Sequence, residues 1–176
     1  MAHDEELAQA VTQALTPARL HQGVLTLTVA LPTGQADLWR WITEPELLQQ
    51  WSPVVPDRPL TSRGPATSSE QPGAEAVDAE VGDVRAPWAL EHRWGPEVLT
   101  WQLAPSGEGT QLNLVHELRD AQLAADMAGG WHVCLVVLER RLRGLETGRC
   151  VGQDAQEHGW SVVKERYRQL FEGDKA

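Results

Sequence analysis

Residues 88–118 read WALEHRWGPEVLTWQLAPSGEGTQLNLVHEL, and apolar and polar side chains alternate through most of the stretch. Trp88, Leu90, His92 and Trp94 fall on one face against Ala89, Glu91 and Arg93. Leu99, Trp101 and Leu103 oppose Thr100 and Gln102, and Leu112, Leu114, His116 and Leu118 oppose Gln111, Asn113 and Glu117. Successive side chains of an extended chain point to opposite sides, so a period of two means strands with one buried and one wet face. Ser106-Gly107-Glu108-Gly109 joins the last two segments as a hairpin turn. Upstream, Val77, Ala79 and Val81 alternate with Asp78 and Glu80. These segments predict consecutive antiparallel strands.

The flanks supply the other layer. Val24 to Leu31 alternates as a first half-buried strand, and Leu7, Ala10, Val11, Ala14 and Leu15 mark an amphipathic helix over 4–15, ended by Pro17. Ala36, Leu38, Trp39 and Ile42, then Leu47, Leu48 and Trp51, are spaced as two short helices broken at Pro45. Residues 53–73 are rich in Pro, Ser, Thr and Gly, the composition of a poorly ordered loop or ragged edge hairpin. From Gly130 the period becomes helical: Trp131, Cys134, Leu135, Leu138, Leu142 and Leu145 form one stripe, while His132, Glu139, Arg140 and Arg143 face away. A last helix carries Trp160, Val163, Tyr167, Leu170 and Phe171 and is expected to dock on the outside. A sheet with one apolar face and a long helix with one apolar stripe must cover each other, which makes the fold class α+β.

The 176 residues predict a single domain over 1–176, with its core at about 24–145 and an extension at 146–176. Fifteen basic against 25 acidic residues leave a net charge of −10, which repels phosphate backbones and anionic lipid, so neither nucleic acid nor membrane is an expected partner. Cys134 and Cys150 form no metal-type cluster, no amino-terminal apolar stretch resembles a signal peptide, and the longest apolar run in the late helix is only Val133 to Leu138. A soluble protein of the reducing cytoplasm, with no metal and no cofactor, is the expectation. The short helix pair is a helix-turn-helix in shape only, since its single base is Arg40.

Several short motifs occur in a shared order: Leu38-Trp39, Glu44-Pro45-Glu46-Leu47-Leu48, Trp51, His92-Arg93-Trp94-Gly95, Gly109-Thr110-Gln111-Leu112, His116 and Gly130-Trp131-His132. In this the chain resembles the activator-of-heat-shock-protein-90-ATPase homologue group of the SRPBCC (START-like) superfamily, over about 24–145, with the tail resembling an extension of some bacterial members. The resemblance implies a helix-grip fold, a bent antiparallel sheet gripping a long carboxy-terminal helix around a cavity that often takes an apolar ligand. The chaperone role does not carry over, because fold transfers more safely than function.

Eight of the ten aromatic residues are Trp, so any cavity is walled by indoles and aliphatic chains. Alternation turns Trp94, Trp101 and Trp131 inward, where they could stack on a ring-containing ligand or simply fill the core. Trp51 stands at the helix-to-loop junction where the resemblance places the cavity mouth. His92 and His116 each replace an aliphatic residue on an inward strand face, and a buried imidazole must find a partner: a ligand, a proton in transit or a backbone carbonyl. Cys134 and Leu138 share the inward helical stripe, and Arg141 is the one arginine near it, placed to pair with an acidic ligand head at the rim. No catalytic set stands out, because no G-x-S-x-G elbow occurs and His132 and Cys134 lie about 200° apart around a helix. The expected function is a binding module for a small apolar or aromatic molecule. The alternatives are a cyclase- or hydratase-like enzyme using His92 or His116, and a protein acting through its surface. A homodimer is left open.

Overall fold

The computed structural model describes residues 2–175. Helix α1 (Ala2–Gln13) leads into strands β1 (Ala18–His21) and β2 (Val24–Leu31), then the short helices α2 (Gln35–Thr43) and α3 (Pro45–Leu48). Six strands follow: β3 (Thr67–Ser68), β4 (Val77–Asp78), β5 (Val81–Arg85), β6 (Ala89–Trp94), β7 (Glu97–Ser106) and β8 (Gly109–Glu117). The chain ends in the long helix α4 (Ala124–Leu142), α5 (Gln153–Glu157) and α6 (Trp160–Gly173). The sheet runs β1-β2-β8-β7-β6-β5, antiparallel throughout, with β3 and β4 a separate small pair. With α4 laid on the inner face of this sheet, the architecture is the helix grip.

The register places the inward residues in rows across the strands. Leu25, His116, Leu99, His92 and Val81 make one row, and Leu27, Leu114, Trp101, Leu90 and Val84 the next. The tight β7–β8 turn uses Gly107 at φ 57°, a left-handed conformation that glycine adopts without steric penalty. Gly109 lies so close beneath the Leu31 carbonyl oxygen that a Cβ there would collide with backbone.

Four expectations are corrected. The long helix begins at Ala124, not Gly130, so Gly129 and Gly130 sit inside it. A Cβ at Gly129 would stand 3.2 Å from the Trp160 ring, so this glycine lets α6 come close. His132 does not face water: it is 1% exposed, because α1 and α6 cover the side of α4 turned away from the sheet. Its Nδ1 accepts the Thr16 N–H at 3.1 Å, its Nε2 bonds the Val11 carbonyl at 2.8 Å, and Tyr167 packs edge-on against the ring. The stretch 53–73 is irregular without being loose, since Val54, Leu60 and Ala66 are buried and Arg58 donates to the carbonyls of Pro59, Ser62, Gly64 and Pro65. Lastly, Trp88 and Leu145, read as inward, are 54% and 46% exposed; Trp88 lies in the β5–β6 turn, and α4 ends before Leu145.

Segment 121–142 is long and apolar enough to cross a membrane by length and composition, yet it is the gripped core helix, with 61% of its apolar window buried. Its hydrophobicity is accounted for by being covered on both sides, by the sheet and by the terminal helices.

Candidate functional site

A cavity of about 120 Å³ lies where the amino-terminal half of α4 meets the end of β6 and the carboxy-terminal extension. Trp94, Met127, Trp131 and Cys134 form one wall, Cys150, Val151 and Ala155 of the extension form the other, and Pro53 closes a side. Glu70 and Gly152, both exposed, stand at the mouth together with half-buried Asp126.

Three of the residues singled out in the sequence, Trp94, Trp131 and Cys134, line this cavity. Four others form the layer behind it. Trp101 packs edge-on against Trp131 at 5.6 Å and against Trp51 at 5.9 Å, and the Trp51 N–H is held by the Trp41 carbonyl at 3.1 Å. The histidines serve as acceptors for indole donors: Trp101 Nε1 donates to His92 Nε2 at 2.9 Å, and Trp131 Nε1 donates to His116 Nδ1 at 3.1 Å. The remaining nitrogens are also engaged, His92 Nδ1 with the Arg93 carbonyl at 2.9 Å and His116 Nε2 with Glu97 Oε2 at 2.6 Å. Glu97 is fixed in turn by the Arg119 N–H at 3.0 Å. Leu138 and Arg141 are not at the cavity. Leu138 lies one turn beyond Cys134 in the core, and Arg141 is half-buried near the far end of α4, its Nε without a partner among the described residues.

These partners dictate protonation. An imidazole nitrogen that accepts an indole N–H carries no proton, so His92 and His116 are neutral, each with its single N–H turned to an oxygen. Burial pushes His92 down from 6.5 to about 4. His116 is also lowered, because its loss of solvent outweighs the pull of the Glu97 carboxylate. Burial raises both thiols, Cys150 to about 12 and Cys134 further, so both are protonated and neither is poised as a nucleophile. Among the described residues no three His, Cys, Asp or Glu side chains are placed to hold a metal ion. The arrangement is therefore an apolar recess with rigid indole faces, backed by satisfied hydrogen bonds.

Sequence reasoning missed several residues that line or support the cavity. Met127 stands four and seven positions before Trp131 and Cys134, so it lies on their stripe, and it escaped only because the helix was started at Gly130. Glu97 has the same strand parity as Leu99 and Trp101 and was legible as an inward acid. Glu70, Cys150 and Val151 come from segments without periodicity, where no sequence signal exists.

Comparison with known proteins places residues 32–143 in a match to the family model described as Activator of Hsp90 ATPase homolog 1-like protein. No curated protein matches. Among solved structures, the conserved protein of unknown function EF2215 from Enterococcus faecalis is similar at TM-score 0.70 and 15% identity, over 95% of both chains. DynU16, from the dynemicin biosynthetic locus, is similar at TM-score 0.62 and 24% identity over 70% of this chain, a match that takes in 48% of DynU16's own length. CalU16 from Micromonospora echinospora is similar at TM-score 0.57 and 16% identity over 84% of this chain and 94% of that one. At these identities the likeness is one of fold.

Proposed function

The chain belongs to the activator of Hsp90 ATPase homolog 1-like family, and on that premise we propose that it is a binding protein for a small, largely apolar molecule, seated between Trp94, Trp131 and the carboxy-terminal extension. The observation that carries this reading is the cavity of about 120 Å³ bounded by two indoles, a thioether and two neutral thiols. Apolar walls with few polar groups are the usual character of a small-molecule site. The size is close to that of a ~150 Å³ apolar protein cavity that accepts benzene, so the seated group is a single ring or a branched alkyl head, with any remainder of the ligand outside the mouth. The hollow between sheet and helix is otherwise filled by Trp51, Trp101 and the two histidines, so the guest lies beside the core rather than within it.

The His92 and His116 nitrogens support the indoles instead of facing the cavity. A cyclase- or hydratase-like step using either imidazole would first have to break a Trp–His hydrogen bond. Titration of intrinsic tryptophan fluorescence with apolar and aromatic molecules tests the reading. Saturable change is expected, weakened at least tenfold by Trp94→Ala, whose half-buried ring can be removed at the end of β6 without opening the core. Absence of any saturable response, with no small molecule co-purifying by native mass spectrometry, would overturn it.

A further inference from the structure

We propose that the group received by this cavity is a compact cation, an alkylated ammonium head, held by the indole faces of Trp94 and Trp131 and by the Glu70 carboxylate. The inference rests on the binding reading above and adds the charge of the ligand. Its first ground is the composition of the wall: among the described residues the lining includes two carboxylates, Glu70 and Asp126, and no Lys, Arg or His. An anion would meet no counter-charge in the wall itself. The second ground is that the two carboxylates are not equivalent. Asp126 is already paired, its Oδ1 2.6 Å from Lys164 Nζ. Glu70 has no hydrogen-bond or ion-pair partner among the described residues and reaches across the mouth, with Oε1 3.6 Å from where a Gly152 Cβ would stand. Arg149 stands behind the wall, outside the lining: its Nε is tied to the Ser52 carbonyl at 2.8 Å, its Nη2 has no partner among the described residues, and its charge acts on Cys134 and Glu70 without an ion pair to either. A neutral guest closing the mouth would strip water from Glu70 and offer nothing in return, whereas a cation would compensate it.

The third ground is the rings themselves. Their centroids are 5.4 Å apart with planes at 60°, two adjoining faces of a box rather than a parallel stack. The Trp131 N–H is spent on His116, so no indole donor of this ring is offered to the guest. Cations sit favourably over such faces, and alkylated ammonium groups in aromatic cages are the known use of this chemistry. Protonated thiols and a thioether complete a polarizable wall without adding charge that would compete. A chain of net charge −10 also draws cations to its surface.

Three water-soluble probes of one shape separate charge from shape: choline, its neutral carbon isostere 3,3-dimethylbutan-1-ol, and the anion 3,3-dimethylbutanoate. Each is titrated into the full chain by tryptophan fluorescence. Choline is expected to bind at least tenfold tighter than the alcohol, with the carboxylate weakest. Glu70→Gln, an exposed and near-isosteric change, is expected to weaken choline about tenfold and leave the alcohol unchanged. Equal affinity for choline and the alcohol, or indifference of choline to Glu70→Gln, would overturn the cation assignment while leaving the apolar recess intact. Silence from all three probes alongside a positive apolar panel would also overturn it, and silence in both series would sink the binding reading itself.

Discussion

Each inward histidine of the sheet accepts an indole N–H and gives its own N–H to an oxygen, so His92 and His116 work as fixed struts behind Trp101 and Trp131. Removing such a strut strands a buried indole donor: His116→Ala also deprives Glu97 of its partner, and a loss of about 2–3 kcal/mol is expected in urea unfolding. The same geometry sets a pH dependence. The unfolded chain protonates its histidines near 6.5, whereas folded His92 takes a proton only near 4, and His116 and His132 are shifted in the same direction. Between these values unfolding takes up protons, so stability is complete above about 6.5 and falls as the pH drops toward 4, by up to about 1.4 kcal/mol per pH unit for His92 alone. Urea midpoints measured at pH 7.5, 6.0 and 5.0 should fall in that order, and a flat series would contradict the neutral, buried assignment.

At the scale of elements, α4 is the piece that everything else packs around. One side carries Trp131 and Cys134 toward the sheet and cavity, and the other carries His132 into the terminal helices. Thr16 gathers that second contact: its N–H and hydroxyl meet His132, and its carbonyl accepts the Tyr167 hydroxyl at 2.6 Å. His132→Leu would keep the volume roughly constant but leave the Thr16 N–H and the Val11 carbonyl unpaired in the interior. A cost of about 2–4 kcal/mol is expected, with faster hydrogen exchange in α1 and α6 than in the β7–β8 hairpin. Uniform destabilisation across all elements would mean that the histidine does not specifically dock the terminal helices. The loop after α3 illustrates the same point without regular structure, since Arg58 collects carbonyls that no strand partner satisfies.

For the whole molecule, the decisive feature is that the proposed site lies between the family-like core and the extension that follows it. Ala155 is 5% exposed and lines the cavity from the extension, opposite the α4 wall. Ala155→Leu adds three heavy atoms to a recess of about 120 Å³, enough to occupy most of it. The variant should fold with an unchanged or slightly higher Tm, because a void is filled, and should lose the fluorescence response to ligands. Undiminished binding by a folded Ala155→Leu protein would move the site elsewhere, one alternative being the open groove between α1, β2 and the later turns of α4.

How much of this was readable beforehand follows from where periodicity exists. Strand alternation from Ala89 to Glu117 located three strands and turned Trp94, Trp101, His92 and His116 inward, and the helical stripe brought Trp131 and Cys134 to meet them. Trp88 failed because a turn interrupts the alternation that its neighbours obey. His132 failed for a different reason: a period reports which residues share a face, not how many other elements will cover the opposite one.

The sequence by itself determined the sheet, the gripped helix and the inward set of indoles and imidazoles, because hydrophobic burial acts on every turn and pleat of an element and so writes itself into local spacing. Only the tertiary structure decided that the imidazoles are consumed by indole N–H groups, that α1 and α6 close the back of α4, and that Glu70, Met127 and the extension frame the remaining space. Those facts depend on distances between segments remote in the chain, and a void is what packing leaves over, so no single stretch of residues encodes it.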